Sequence, residues 1–384
     1  MNTSDEAAGR SIRHWKDWIS HPAYNDYWRR LRPVEEHYSE MEVASYSMAG
    51  WFDVFLQGSL NNFMGMSKNS RTEKARRSQK LIVGPWIHGL GGNFLIGAPR
   101  GALSKTGDID FGPTALIDLR VEELRWFDYW LKSTANGILN EPRVKVFVMG
   151  ENRWREADEW PIPGTSYVPY YLHSGGQANS ILGNGILNAA QPGREAPDQY
   201  TYDPRHPVMT IGGSTCCSEE TLPVSMGPRD QRPNEYRPDV LVYTTPPLDQ
   251  DIEVTGPVKL ALHASSSARD TDFAAKLVDV FPDGYAMNVA QGIIRARYRD
   301  SWESPALMEP GAIYKFEIDL WSTSNCFLKG HRIRVELTSS NFPQFDRNPN
   351  TGNPFGLDAA LQSARQTVYH DREHPSHILL PVVT

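Results

Sequence analysis

From residue 151 onward the sequence is a succession of short runs: YVPYYL, DVLVYTT, VKLALHAS, AAKLVDVF, IIRARYR, YKFEIDL and HRIRVELTSS. Each run alternates apolar with polar residues or is apolar throughout, and Pro, Gly, Asn and Asp separate one from the next. Strand side chains alternate faces with period two, so this texture fits half-buried strands rather than helices. The spacing predicts an all-β sandwich over residues 151–384. Within it, SGGQANSILGNGILNAAQPG (174–193) reads as a surface loop or weak hairpin. No internal repeat recurs at a fixed period.

The front of the chain is different. Residues 11–38 are rich in aromatics and charges and predict one or two short helices broken at Pro22. Trp15, Trp18, Tyr24, Tyr27 and Trp28 form an apolar face there that needs a cover. Val43 to Ala49 reads as a strand ended by Gly50, and the apolar spacing of Phe55, Leu56, Leu60, Phe63 and Met64 reads as a helix. KNSRTEKARRSQK (68–80) is expected as a solvated linker into the strand LIVG, because no aromatics interleave its charges. TALIDLRVEELRWFDYWLK (114–132) sets Ile117, Val121, Leu124, Phe127 and Leu131 along one helical stripe, and RVKVFVMG closes the first half as a strand.

With 384 residues and 40% hydrophobic content, the chain can build two or three cores. A formal net charge of -7 provides no basic field to gather nucleic acid or an anionic membrane, so neither is expected as a partner. Three cysteines, Cys216, Cys217 and Cys326, give no CxxC metal spacing and no even framework. Reduced thiols and a cytoplasmic setting are expected, adjacent cysteines being poorly placed for an unstrained disulfide. The first twenty residues contain no apolar signal segment, and no run approaches membrane-spanning length.

Two positions carry chemistry. In LIVGPWIHGLGG (81–92) an apolar strand ends in a turn that holds His88, and 35 residues earlier another strand and turn deliver Asp53. Loops that follow adjacent parallel strands meet at one sheet edge. A histidine and a carboxylate brought together there are the base and acid of a Ser-His-Asp relay: the ring moves the proton, and the carboxylate fixes its tautomer. From the residues alone, Asp53 can equally cap the helix that follows it, and His88 can be a loop histidine bonded to backbone.

AGWFDVFLQGSLNNF, LIVGPWIHG, ELRWFDYWLK, the run from DVLVYTT to ASSSARDTDFAAKLVDVFPDG, and SSNFPQFDRNPNTG together resemble the cocaine-esterase and X-Pro dipeptidyl-peptidase family. That family also includes glutaryl acylases and α-amino acid ester hydrolases, known as CocE/NonD hydrolases. The resemblance implies an α/β plus all-β chain: the C-terminal part of an α/β-hydrolase domain, with its last strands and helices, followed by a jelly-roll β-sandwich. On this reading residues 1–40 are a remnant of a helical cap, 41–150 the hydrolase part and 151–384 the jelly roll. It implies that Asp53 and His88 are the catalytic acid and base, that no cofactor or metal is required, and that the substrate is a small ester, amide or peptide.

The family's nucleophile sits on a G-x-S-Y-x-G elbow upstream, and no G-x-S-x-G occurs in the sequence. Ser47 lies inside the strand leading to Asp53 and Ser59 inside the following helix, so neither is on an elbow. An oxyanion donor is lost with the elbow. The expectation is therefore a truncated gene or one half of a split enzyme, close to inert alone, whose serine comes from a separate polypeptide. An upstream export signal would be lost with it, and a homo-oligomer is another way to cover the exposed edge and apolar faces. The alternative is a non-catalytic jelly-roll module that binds carbohydrate or protein.

Three weaker motifs stand apart. FDRNPNTG presents Asp346, Asn348, Asn350 and Gly352 like a calcium loop, but Leu357 stands where a bidentate Glu is needed. HDREHPSH offers His370, His374 and His377 at ligand-like spacing, interrupted by Pro375. Asp270 and Asp272 fall on one strand face, too close together for glycoside chemistry, and are expected to bond loop or strand-edge amides.

Overall fold

The computed structural model describes residues 9–89, 103–216, 225–356 and 358–383. The front of the chain builds a four-stranded sheet from β1 (Ser45–Phe52), β2 (Gln79–Ile87), β5 (Val144–Val148) and β6 (Arg153–Ala157), in that spatial order. A separate two-stranded hairpin consists of β3 (Lys105–Thr106) and β4 (Ile109–Asp110). The first three strands of the larger sheet run parallel and β6 returns antiparallel to β5. Helices α1 (Arg13–Ile19) and α2 (Asp26–Arg29) precede it, on either side of Pro22. Helices α3 (Leu56–Asn69), α4 (Glu73–Arg77) and α5 (Leu119–Lys132) follow. The α3 spacing works as expected, with Leu56, Leu60, Phe63 and Met66 buried.

Four local expectations are corrected. Gly50 does not end β1 but lies within it, because a residue without a side chain lets the neighbouring strand pass close. The charged segment 68–80 is not a plain linker: α3 reaches Asn69, and Thr72 accepts the Ala75 N–H to cap α4. On α5 the stripe is solvent-facing, with Val121 51%, Leu124 58%, Phe127 54% and Leu131 76% exposed. The helix is anchored by its other side, through Leu119 and Trp126. Finally, Cys216 is disulfide-bonded rather than a free thiol, while Cys326 is free and buried. Cys217 lies outside the described residues.

The second half is a β-sandwich, but it starts at β7 rather than at residue 151, because β6 pairs with β5 and so extends the front sheet. The strands are β7 (Ser166–His173), β8 (Ile186–Asn188), β9 (Asp198–Tyr202), β10 (Leu241–Thr244), β11 (Ile252–Ser266) and β12 (Asp272–Val280). They continue with β13 (Ala286–Arg295), β14 (Tyr314–Phe327), β15 (Arg332–Thr338), β16 (Ala364–Tyr369) and β17 (His377–Val383). One short helix, α6 (Arg232–Glu235), interrupts them. The long strand β11 pairs antiparallel with β14, β16 and β17. Face-to-face packing shows at Phe273 of β12 against Phe316 of β14, ring centroids 4.9 Å apart across strands that do not pair. A single apolar core runs from Trp51, Leu81 and Phe147 through to Leu260, Phe316 and Val335.

The two halves are joined by backbone. Past β5, the Met149 N–H donates to the Ser324 carbonyl at 3.0 Å, and the Cys326 N–H donates to the Met149 carbonyl at 2.7 Å. Arg153 and Arg155 of β6 both reach the buried Glu253 of β11, at 2.9 and 2.6 Å. The front segment rests on the sandwich through the Tyr24 N–H to the Trp302 carbonyl, 2.8 Å, and the Tyr298 hydroxyl to the Pro22 carbonyl, 2.6 Å. Among the described residues, no helix is long and apolar enough to cross a membrane.

Candidate active site

β1 and β2 run in parallel register, Ser45 opposite Gln79 and Gly50 opposite Gly84, so both chains leave the sheet at the same edge. Close approach there depends on Gly50: a Cβ at this position would lie 2.2 Å from the Trp86 carbonyl oxygen. Trp51 anchors the end of β1, its indole N–H donating to the Phe147 carbonyl at 2.7 Å inside the core. The next turn presents Asp53, buried, one residue past β1, and His88 one residue past β2.

The structure brings these two together. His88 Nδ1 lies 3.2 Å from Asp53 Oδ1, at the long end of N–H···O hydrogen bonds. With the carboxylate as acceptor, Nδ1 carries the proton and Nε2 is left for another group. The His88 side chain is 38% exposed and that of Asp53 only 7%, so the acid is shielded and the base reachable. Asp53 Oδ1 also accepts the Phe55 N–H at 2.8 Å, and the Asp53 carbonyl accepts the Leu56 N–H at 3.1 Å. Asp53 does not cap the helix, whose N-cap is Phe55 with no side-chain cap bond; its Oδ1 instead holds the turn before the helix and the histidine with one oxygen.

Two features of this sheet edge escaped the sequence. The Phe55 ring meets the imidazole edge to face, centroids 5.2 Å apart. A loop of the sandwich also reaches this edge, where a Cβ on Gly227 would lie 3.2 Å from Ile87 Cγ2. Aromatic residues follow Asp53 closely enough that Phe55 could have been suspected, whereas nothing local ties Gly227 to a strand some 140 residues earlier. Ser47 lies within β1 opposite Leu81, and Ser59 lies in α3 with its N–H bonded to the Phe55 carbonyl.

The weaker motifs resolve as structure. His370 is buried between two acids, Nδ1 3.1 Å from Glu195 and Nε2 2.9 Å from Asp198, while His374 bonds Asp371 and His377 bonds the Pro375 carbonyl. Burial pulls the His370 pKa down, but the hydrogen bond and charge of Asp198, with Glu195, outweigh it and raise the ring above its ordinary value. Asp270 accepts the Arg297 backbone amide at 3.0 Å, as expected, and both carboxylates also pair with arginines, Asp270 with Arg297 at 2.8 Å and Asp272 with Arg295 at 2.9 Å. Asn348, from the supposed calcium loop, donates to both carboxylates at 3.0 and 2.8 Å, which makes that loop a clamp on the pair.

Residues 136–379 match the family model described as the X-Pro dipeptidyl-peptidase C-terminal non-catalytic domain, and residues 2–90 match that of X-Pro dipeptidyl-peptidase (S15 family). The chain is 38% identical to the cocaine esterase of Rhodococcus sp. (strain MB1 Bresler) over 370 residues, 95% of this chain and 60% of that protein. Its fold superposes on an aminopeptidase from a marine sediment Thaumarchaeota archaeon with a TM-score of 0.85 at 28% identity, covering 100% of this chain and 62% of that one. It also superposes on an α-amino acid ester hydrolase with a TM-score of 0.80 at 28% identity, covering 98% and 62%. The chain therefore spans about three fifths of the length of these relatives. A four-stranded α/β sheet ending in an Asp-His pair, a jelly-roll sandwich behind it, and a family model matched over more than half the chain agree: the protein belongs to the cocaine-esterase and X-Pro dipeptidyl-peptidase family of hydrolases.

Proposed function

We propose that Asp53 and His88 are the acid and base of a seryl acyl-transfer relay that cleaves an ester or amide bond. The observation that carries this reading is the 3.2 Å contact between a buried carboxylate and a half-exposed imidazole at one edge of a parallel sheet. In this mechanism His88 Nε2 takes the proton from a serine hydroxyl as it attacks the acyl carbon, then returns it to the departing alcohol or amine. Asp53 keeps the proton on Nδ1 and stabilises the imidazolium in between. The serine and its oxyanion donors come from outside these 384 residues, since the sequence contains no G-x-S-x-G. A polypeptide carrying that motif is the partner this reading requires, and the substrate is a small ester, amide or peptide.

A second reading has one observation in its favour: the longer family match is to a domain described as non-catalytic. The sandwich would then act as a binding module, with the front sheet as its support. Hydrolysis of a p-nitrophenyl ester separates the two. The chain alone is expected to be inert, and mixing it with a polypeptide that carries the family's serine motif is expected to restore turnover. His88→Ala or Asp53→Asn should then lower the restored rate by about 10³ to 10⁴. Turnover by the purified chain alone that survives His88→Ala would overturn the relay.

A further inference from the structure

Apart from Asp53 and His88, the front segment and the sandwich enclose a cavity of about 310 Å³, within the range of small-ligand sites. Its walls are largely aromatic. Tyr298 and Trp302 stack with centroids 5.5 Å apart and planes 18° from parallel, and Phe345 and Phe355 complete the lining. The Tyr298 hydroxyl donates to the Pro22 carbonyl and the Trp302 backbone carbonyl accepts the Tyr24 N–H, which ties this wall to the front segment, yet Trp302 is 68% exposed. An indole stacked on Tyr298 and left facing solvent offers an apolar platform.

Three ionised groups line the same cavity, and their balance selects the ligand. Arg295 grips buried Asp272 through Nε at 2.9 Å and Nη2 at 3.0 Å, and that pair is electrically closed. Asp346 takes one further bond from Arg295 Nη2, at 3.0 Å to Oδ1, while its side chain remains 63% exposed. The cavity thus carries one net negative charge, at its open side. The Phe355 ring already faces the Arg295 guanidinium at 5.4 Å, so the open aromatic face is that of Trp302, negative at its centre, which attracts the same kind of guest as the carboxylate. An anion is repelled by both, and a neutral sugar gains nothing from the surplus charge.

The geometry points to a binding site for an organic ammonium ion, with its alkyl or aryl body against Trp302 and Phe355 and its positive head beside Asp346. This site does not depend on the serine relay, because none of its residues belongs to the Asp53–His88 pair. The test is a titration of the full chain, followed by indole NMR, with choline, with its neutral isostere 3,3-dimethylbutanol and with cellobiose. Saturable choline binding at least about tenfold tighter than that of the isostere is expected, weakening as salt is added. Asp346→Asn and Trp302→Ala, both at exposed side chains, should each weaken choline by about tenfold. Equal binding of the isostere, saturable binding of cellobiose in place of choline, no saturation by choline, or unchanged choline binding in Trp302→Ala would overturn the assignment.

Discussion

Replacing Gly50 by alanine tests how the acid and base come to be in contact. The added methyl would sit 2.2 Å from the Trp86 carbonyl oxygen and 2.6 Å from its carbon, whereas real Cβ contacts essentially never fall under 3.0 Å. The obstacle is strand backbone next to the end of β2 and cannot swing aside as a side chain could, so the strands must part by at least about 0.8 Å. Carried to the sheet edge, that movement stretches the 3.2 Å Asp53–His88 contact to about 4 Å, beyond hydrogen bonding. Overpacking of this kind costs about 1–3 kcal/mol. Gly58 supplies the contrast: it lies in α3, a Cβ there meets nothing within 4 Å, and Gly58→Ala should stabilise by about 0.4–1 kcal/mol. Urea unfolding followed by tryptophan fluorescence reads both energies, and ¹⁵N NMR of the histidine rings, assigned with His88→Gln, reads the tautomer. The expected result is a destabilised Gly50→Ala whose His88 no longer holds its proton on Nδ1. A variant as stable as the parent, with the Nδ1 proton retained, would refute the claim that Gly50 sets the contact.

Other perturbations follow from the same structure. The raised pKa of His370 makes its contribution to stability complete below its ordinary value of 6.5 and lost as pH rises through the higher folded value. His370→Gln should therefore flatten part of the fall in melting temperature as pH rises above the ordinary histidine value of 6.5. Glu336 is buried, and burial first, with the charge of Glu235 adding to it, raises its pKa to about 8 against the pull of Lys276. The folded state thus keeps a proton that the unfolded state releases, and stability declines as pH rises towards 8. The stability of Glu336→Gln relative to the parent should grow over that interval and then level off, and urea midpoints at several pH values check it. Arg334→Ala leaves buried Glu235 without its 2.6 Å partner and should cost about 3–5 kcal/mol in the same assay. On α5, Leu124→Glu with Leu131→Lys should change stability by under about 0.5 kcal/mol while reducing self-association in light scattering.

What could be read from the sequence was whatever rests on local pattern. Period-two runs gave away β7, β10, β11, β12, β14 and β15, and a turn placed just after each of two apolar strands was enough to bring Asp53 and His88 to one edge. The pairing of distant charges was not legible. Nothing local tied His370 to Glu195, 175 positions away in the chain, or Asp272 and Asp270 to Arg295 and Arg297, which belong to another strand and its trailing turn. Periodicity on α5 identified an apolar stripe correctly but carries no information about which surface meets the sheet. The exposed Val121, Leu124, Phe127 and Leu131 are the measure of that gap.

The backbone seam between Met149 and the strand β14 bears on how the molecule moves. A covalent linker alone would let the sheet that carries Asp53 and His88 swing against the sandwich like a door. Here Met149, the residue after β5, is hydrogen-bonded into β14, and a Cβ at Gly150 would lie 2.1 Å from the Cys326 carbonyl oxygen, so the surfaces leave no clearance for a pivot. The two halves should therefore unfold in one transition, and proteases should find no cleavable waist near residue 150. A strain applied anywhere along β14 would then be felt at β5, and through the parallel ladder at the edge where the histidine sits.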